Sequence, residues 1–317
     1  MKSSAARASE ARPLARLFGA HRPAVLDGAM GTELARRGED TGLPLWSAGP
    51  LEKSPGAVSR IHADYIAAGA DIVTTDTFRT TRRTFARAGL PDRSAALTAR
   101  AVSLACNARD ASGRGGVLVA GSIAPLEDCY HTELVPSDAA LSEEHAELAK
   151  RLAEAGVDFL LIETMGTARE AAAAAEAARA TGLEFVVSFL CKPDGALYGG
   201  EPLADAVRRI APLHPAAFSI NCVSARLMHE PLKRLREAIN ETPGADGIPI
   251  GVYANVGVPN GESPMDDSQS MIEDVEPMAY ASCAASWARQ GTAFIGGCCG
   301  TTPEHIRAVA RELGRSV

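Results

Sequence analysis

No apolar run in this chain approaches the length that crosses a bilayer, and no basic surplus offers a surface to nucleic acid. The 32 lysines and arginines stand against 39 aspartates and glutamates, a formal net charge of -7. Seven cysteines are an odd number, spread over 317 residues behind no secretory signal. That argues against a disulfide framework and for reduced thiols in a cytoplasmic setting. The first apolar run leads into Asp27-Gly-Ala-Met-Gly31, which lacks the G-x-G-x-x-G spacing of a dinucleotide site. No linker or low-complexity break divides the chain. Aromatics make up only 5% of it, so those that fall at strand ends stand out. These absences leave a role on small molecules, with no nucleic acid and no membrane as partners.

At the N-terminus Lys2, Arg7, Arg12, Arg16 and Arg22 sit among alanines and serines, a weak transit-peptide pattern that Glu10 counters. Residues 1–22 read as a tail or short helix, followed by one domain over 23–317.

What is present is an alternation. Eight apolar runs, at 24–29, 70–78, 117–123, 157–165, 184–190, 216–222, 248–255 and 293–299, are separated by helix-like stretches. The stretches lie near 52–68, 92–110, 138–155, 167–181, 202–213, 225–240, 276–290 and 303–315 and are rich in Ala, Leu, Arg and Glu. Several carry end signals, such as Ser137 before the third and Gly156 after it. Continuous apolar strands imply a parallel sheet buried on both faces. Eight strand-helix units imply an α/β fold, a single (β/α)8 TIM barrel, with an open doubly wound sheet as the alternative.

In such a barrel the chemistry sits at the carboxyl ends of the strands. The polar residues falling there are Asp27, then Asp76-Thr-Phe78, Ser122, Glu163-Thr164, Asn221-Cys222, Asn255 and Cys298-Cys299. The last pair belongs to Ala293-Phe-Ile-Gly-Gly-Cys-Cys-Gly-Thr-Thr-Pro-Glu-His305, which reads as a strand, a sharp bend and a helix start. Neighbouring side chains on a regular strand point to opposite faces, so two adjacent cysteines share a metal only where the backbone turns. Cys222 supplies a third thiolate, giving a set of three cysteines with one open position, the pattern of catalytic zinc. Cys106 and Cys283 lie in helical stretches and Cys191 just past the fifth strand, where burial explains them. Cys129, in the loop 124–137, is a loop residue near the site and is not assigned as a ligand.

Asp27 and Glu163 end very apolar strands, where a charge is costly unless something binds it, and a substrate ammonium group would serve. Asn221 and Asn255 suit a substrate carboxylate or the local backbone equally well. Trp46, Phe78, Tyr130, Tyr198 and Tyr253 gather near strand ends and offer faces to an onium cation. The nineteen residues 257–275 exceed the usual loop of about two to six and read as a lid or specificity element. Their acids Glu262, Asp266, Asp267, Glu273 and Asp274 are placed to attract a cation.

These residues resemble the zinc-dependent homocysteine S-methyltransferases. The matching pieces are Leu26-Asp-Gly-Ala-Met-Gly-Thr-Glu33, Leu45-Trp-Ser47, Ala68-Gly-Ala-Asp71 with Thr77-Phe78, Ile162-Glu-Thr164, Ile220-Asn-Cys222 and Gly296-Gly-Cys-Cys-Gly-Thr301. They run in the family's order over nearly the whole chain from about Pro23. The resemblance implies Zn2+ on Cys222, Cys298 and Cys299, with Asp27 and Glu163 helping to bind homocysteine. Asn221, Asn255, Thr77, Phe78 and Trp46 complete the substrate-binding candidates. Length and the Leu-Trp-Ser element look most like the short forms that use S-methylmethionine or S-adenosylmethionine, although Tyr253-Ala-Asn-Val-Gly257 matches only part of their Tyr-Pro-Asn-Ser-Gly pattern. The expected reaction is methyl transfer from a small onium donor to homocysteine, giving methionine. The alternatives are another donor (betaine, dimethylsulfoniopropionate or a corrinoid protein), another thiol acceptor, or a non-catalytic zinc or amino acid binding barrel.

Overall fold

The computed structural model describes residues 13–259, 271–273 and 275–317. Its strands are β1 (Ala24–Val25), β2 (Ile72–Thr74), β3 (Leu118–Ile123), β4 (Phe159–Met165), β5 (Phe185–Phe189), β6 (Ala217–Ser224), β7 (Ile250–Asn255), β8 (Gly257–Pro259), β9 (Met271–Glu273) and β10 (Phe294–Gly297). All but β8 and β9 join one parallel sheet in the order β1-β10-β7-β6-β5-β4-β3-β2. The two ends of that sheet meet. Leu26 bridges Ile72, the Asp71 amide donates to the Val25 carbonyl at 2.7 Å, and the Asp27 amide donates to the Ile72 carbonyl at 3.0 Å. The result is the closed (β/α)8 barrel that eight apolar runs imply, and every residue of β4, β5 and β6 is buried.

The helices follow from local signals. Helix Asp138–Ala155 starts where the Ser137 side chain accepts the Ala140 amide and stops at Gly156 in the left-handed region. Helix Ala168–Ala180 faces the sheet with Ala171, Ala174, Ala175 and Ala178, all fully buried. Side chains this small let the helix lie close to the strands. The stretch expected at 52–68 is split into Pro50–Lys53 and Pro55–Ala67, because Pro55 has no amide to continue the ladder. Two short helices, Gly31–Arg36 and Arg82–Arg87, were not foreseen in the sequence.

One end of the barrel is stoppered by the N-terminal segment. Helix Pro13–Phe18 buries Leu14 completely against the interior, and Phe18 stacks on Phe294 of β10 at 5.3 Å between ring centroids. The Leu14 amide donates to Glu184 at 2.8 Å. This leaves the opposite, carboxyl end of the strands as the accessible face.

There the strands are shorter than expected. The runs at 24–29 and 70–78 contribute only Ala24–Val25 and Ile72–Thr74 to the sheet, since the following residues leave it to form the walls of a cavity. The long segment 257–275 begins and ends as the antiparallel pair β8 and β9. The residues between them, with Glu262, Asp266 and Asp267, lie outside the described residues, as does Asp274.

Candidate metal centre and active site

Three thiols converge at the carboxyl ends of β6 and β10. Cys222 has φ 60°, and the pairing of β6 with β7 shifts register between Asn221 and Ser224. That irregularity turns Cys222 out of the alternation of its strand and toward the barrel axis. Cys298 and Cys299 follow the end of β10 in a tight turn. The Cys298 carbonyl accepts both the Thr301 amide at 3.0 Å and the Thr301 hydroxyl at 2.7 Å. Gly297 is required here, since a Cβ would stand 2.3 Å from the Thr301 hydroxyl oxygen. The bend that two adjacent cysteines need to face one point is therefore present.

The Sγ atoms of Cys222, Cys298 and Cys299 all lie within 4.8 Å of one another, and Cys222 and Cys299 are 3.7 Å apart. Sulfurs on a tetrahedral zinc, with Zn–S near 2.3 Å, stand about 3.8 Å apart, so the set fits such an ion. Hydrogen bonds from Cys298 and Cys299 pull the Cys222 thiol well below the usual range. Hydrogen bonding to Cys222, burial and then the charge on Cys222 push both partner thiols up. Among the described residues no other group of His, Cys, Asp and Glu offers such a set. Cys129 is buried beside Cys222, and the Tyr130 hydroxyl lies 3.4 Å from the Cys222 sulfur. Cys191 is buried near Leu197, while Cys106 and Cys283 are half-buried on helices.

Three buried carboxylates, Asp27, Asp76 and Glu163, line the same cavity of about 370 Å³. Asp27 accepts the Thr74 amide at 2.7 Å and the Thr74 hydroxyl at 2.9 Å, while burial lifts its pKa to about 8 against these bonds and with help from Glu163. Glu163 accepts the Ser122 hydroxyl at 2.5 Å and the Tyr253 hydroxyl at 3.3 Å. Burial raises it to about 7. An arriving cation restores the charged form of both acids. Trp46 and Phe78 form part of the wall, edge to face at 5.5 Å.

The remaining sequence candidates are placed behind the cavity rather than in its lining. Asn221 accepts the Thr164 amide at 3.0 Å and the Ser188 hydroxyl at 2.7 Å, and donates to the Thr164 hydroxyl at 2.8 Å. Asn255 donates to the Cys222 carbonyl at 3.0 Å. Thr77 donates to the Ser122 carbonyl at 2.8 Å. Asn221 and Asn255 brace the strand ends that carry Glu163 and Cys222, and Thr77 braces the one that carries Ser122. Sequence reading missed Thr74, which no motif marks, and did not pair Ser122 and Tyr253 with Glu163.

The sequence model of the homocysteine S-methyltransferase family matches residues 24–313. The chain belongs to that family. The homocysteine S-methyltransferase YbgG of Bacillus subtilis is 33% identical over 303 residues, 90% of this chain and 93% of the relative. The metallated form of the homocysteine methyltransferase MmuM from Escherichia coli superposes with a TM-score of 0.80 at 31% identity, covering 95% of this chain and 99% of that one. A selenocysteine methyltransferase of Astragalus bisulcatus is 29% identical, with 94% of each chain covered. In this member of the family the thiol cluster and the buried acids Asp27, Asp76 and Glu163 line one cavity.

Proposed function

We propose that Cys222, Cys298 and Cys299 hold Zn2+ and that the chain passes a methyl group to homocysteine from a sulfonium donor, S-methylmethionine or S-adenosylmethionine, giving methionine. The observation that carries this reading is three thiols within 4.8 Å of one another, in one cavity with the buried carboxylates of Asp27 and Glu163. When bound, zinc supplies a site that keeps a thiol sulfur deprotonated at neutral pH.

The chain's own residues do the rest. Asp27 and Glu163 take the ammonium group of homocysteine, and Thr74, Ser122 and Tyr253 fix the carboxylate oxygens that receive it. Both acids then hold their charge, which places the acceptor sulfur toward the cysteines. The methyl carbon bonds to that sulfur as its bond to the donor sulfur breaks, and the electron pair leaves with a neutral thioether. A cation and an anion disappear together, so a wall with the aromatic rings of Trp46, Phe78 and Tyr130 favours the transition state over the separated charges. Reduced thiols are required throughout, which suits a cytoplasmic enzyme. The selenocysteine methyltransferase among the relatives supports a second reading, in which the acceptor is a selenolate.

Zinc-loaded protein given homocysteine with S-methylmethionine, S-adenosylmethionine, betaine and dimethylsulfoniopropionate in turn should form methionine with S-methylmethionine or S-adenosylmethionine. Selenocysteine as acceptor tests the second reading. No methylated product from any pair would sink both.

A further inference from the structure

One carboxylate of the cavity has no well-formed hydrogen bond among the described residues. Asp76 is 2% exposed, lines the cavity, and neither of its oxygens has a hydrogen bond that satisfies distance and angle. The Ser47 hydroxyl is near enough to favour its ionised form without meeting that geometry. Asp27 and Glu163 differ, each having both oxygens engaged by residues of the chain. A buried acceptor with no donor is destabilising, and a fold that keeps one in a cavity wall is holding it for something outside the chain.

The surroundings of Asp76 also differ from those of the other two acids. Asp27 is held by Thr74, and Glu163 by Ser122 and Tyr253, whereas burial and the Ser47 side chain are what act on Asp76. Its companions in the lining are Ser47, Thr75, Trp46 and Phe78. Trp46 is held there by its own backbone, at φ 45°, and by Gly31, where a Cβ would stand 2.3 Å from the indole.

The kind of cation follows from hydrogen-bond chemistry. Carboxylate oxygens that have lost water need N–H or O–H donors. An ammonium group supplies three, whereas a trimethylammonium or a dimethylsulfonium supplies none and is satisfied by aromatic faces. We propose that Asp76 accepts N–H hydrogen bonds from a primary ammonium group on the methyl donor, so that this chain selects an amino acid sulfonium over donors whose cation carries no N–H. This rests on the reading of the cavity as the site of methyl transfer and adds the residue that chooses the donor.

The test is Asp76→Asn and Asp76→Ala in zinc-loaded full-length protein, varying each substrate at saturation of the other. Losing a charged acceptor should raise the KM for S-methylmethionine by about ten-fold or more, the effect of one charge-assisted hydrogen bond. The homocysteine KM and zinc content should stay within about two-fold, since neither depends on this carboxylate. Asp76→Asn should unfold at the same temperature as the wild type or higher, because an unpaired buried carboxylate is gone. A donor KM unmoved by Asp76→Asn, as expected if only water meets this group, overturns the proposal. So does a rise confined to the homocysteine KM. Calorimetry with S-methylmethionine and dimethylsulfoniopropionate separates this from failure of the functional reading. If no donor turns over, loss of S-methylmethionine binding in Asp76→Asn still supports the subsite, and equal binding by both proteins, or no binding by either, still overturns it.

Discussion

The side-chain amide of Asn255 donates to the backbone carbonyl of Cys222 at 3.0 Å, tying the last residue of β7 to the first ligand candidate on β6. Cys222 has φ 60°, a region that L-residues other than glycine adopt only when their surroundings hold them there. Asn255 is part of that hold. Asn255→Ala should therefore weaken metal binding by about 10–100-fold, as loss of a supporting hydrogen bond around a ligand typically does, with the fold intact. Chelator competition reads the affinity, and an unchanged value would show that Cys222 holds its conformation without Asn255.

Cys222→Ser, Cys298→Ser and Cys299→Ser should each abolish nearly all methyl transfer, and the triple variant should carry no zinc by elemental analysis. Their circular dichroism should match the wild type, because the barrel interior and the surrounding helices pack without the ligands. Full zinc in the triple variant would move the metal to another site.

Asp27 gives a pH-dependent signature. Burial raises its pKa from 3.8 to about 8 in the folded chain, so the folded state keeps a proton that the unfolded state has released. Its contribution to stability is complete below the unfolded value and is lost as pH rises through the folded one. Asp27→Asn has no such proton to lose. Its unfolding temperature should gain on that of the wild type between pH 5 and pH 8, while homocysteine binding is lost. A difference that is constant or narrows over that range would contradict the assignment.

The stopper at the far end makes a prediction about stability alone. Leu14 is fully buried inside the barrel opening, so Leu14→Ala should cost about 2–5 kcal/mol by removing packing and leaving a cavity. Denaturant unfolding measures this. KM for homocysteine should not change, because the helix closes the end opposite the thiols.

The sequence carried the barrel and the thiols for physical reasons. Uninterrupted apolar strands alternating with capped helices admit few architectures, and Gly296-Gly-Cys-Cys-Gly300 announces its own bend. Asn221, Asn255 and Thr77 were a different matter. All three are polar residues at strand ends, and whether such a side chain faces a ligand or a neighbouring peptide depends on backbone angles one residue away. The positive φ values of Thr164 and Cys222 are long-range outcomes of sheet closure and register, which local propensity does not encode. Thr74 shows the same limit, since its role is set by the pairing that brings β2 beside Asp27.

The most direct test of the central claim is X-ray absorption at the zinc edge, with and without homocysteine. Three sulfur ligands in the substrate-free protein and four after homocysteine is added would be the result expected of a cysteine triad with one position for the substrate thiol. A count that stays the same on adding homocysteine at saturation, or ligands that are mainly nitrogen and oxygen, would contradict it.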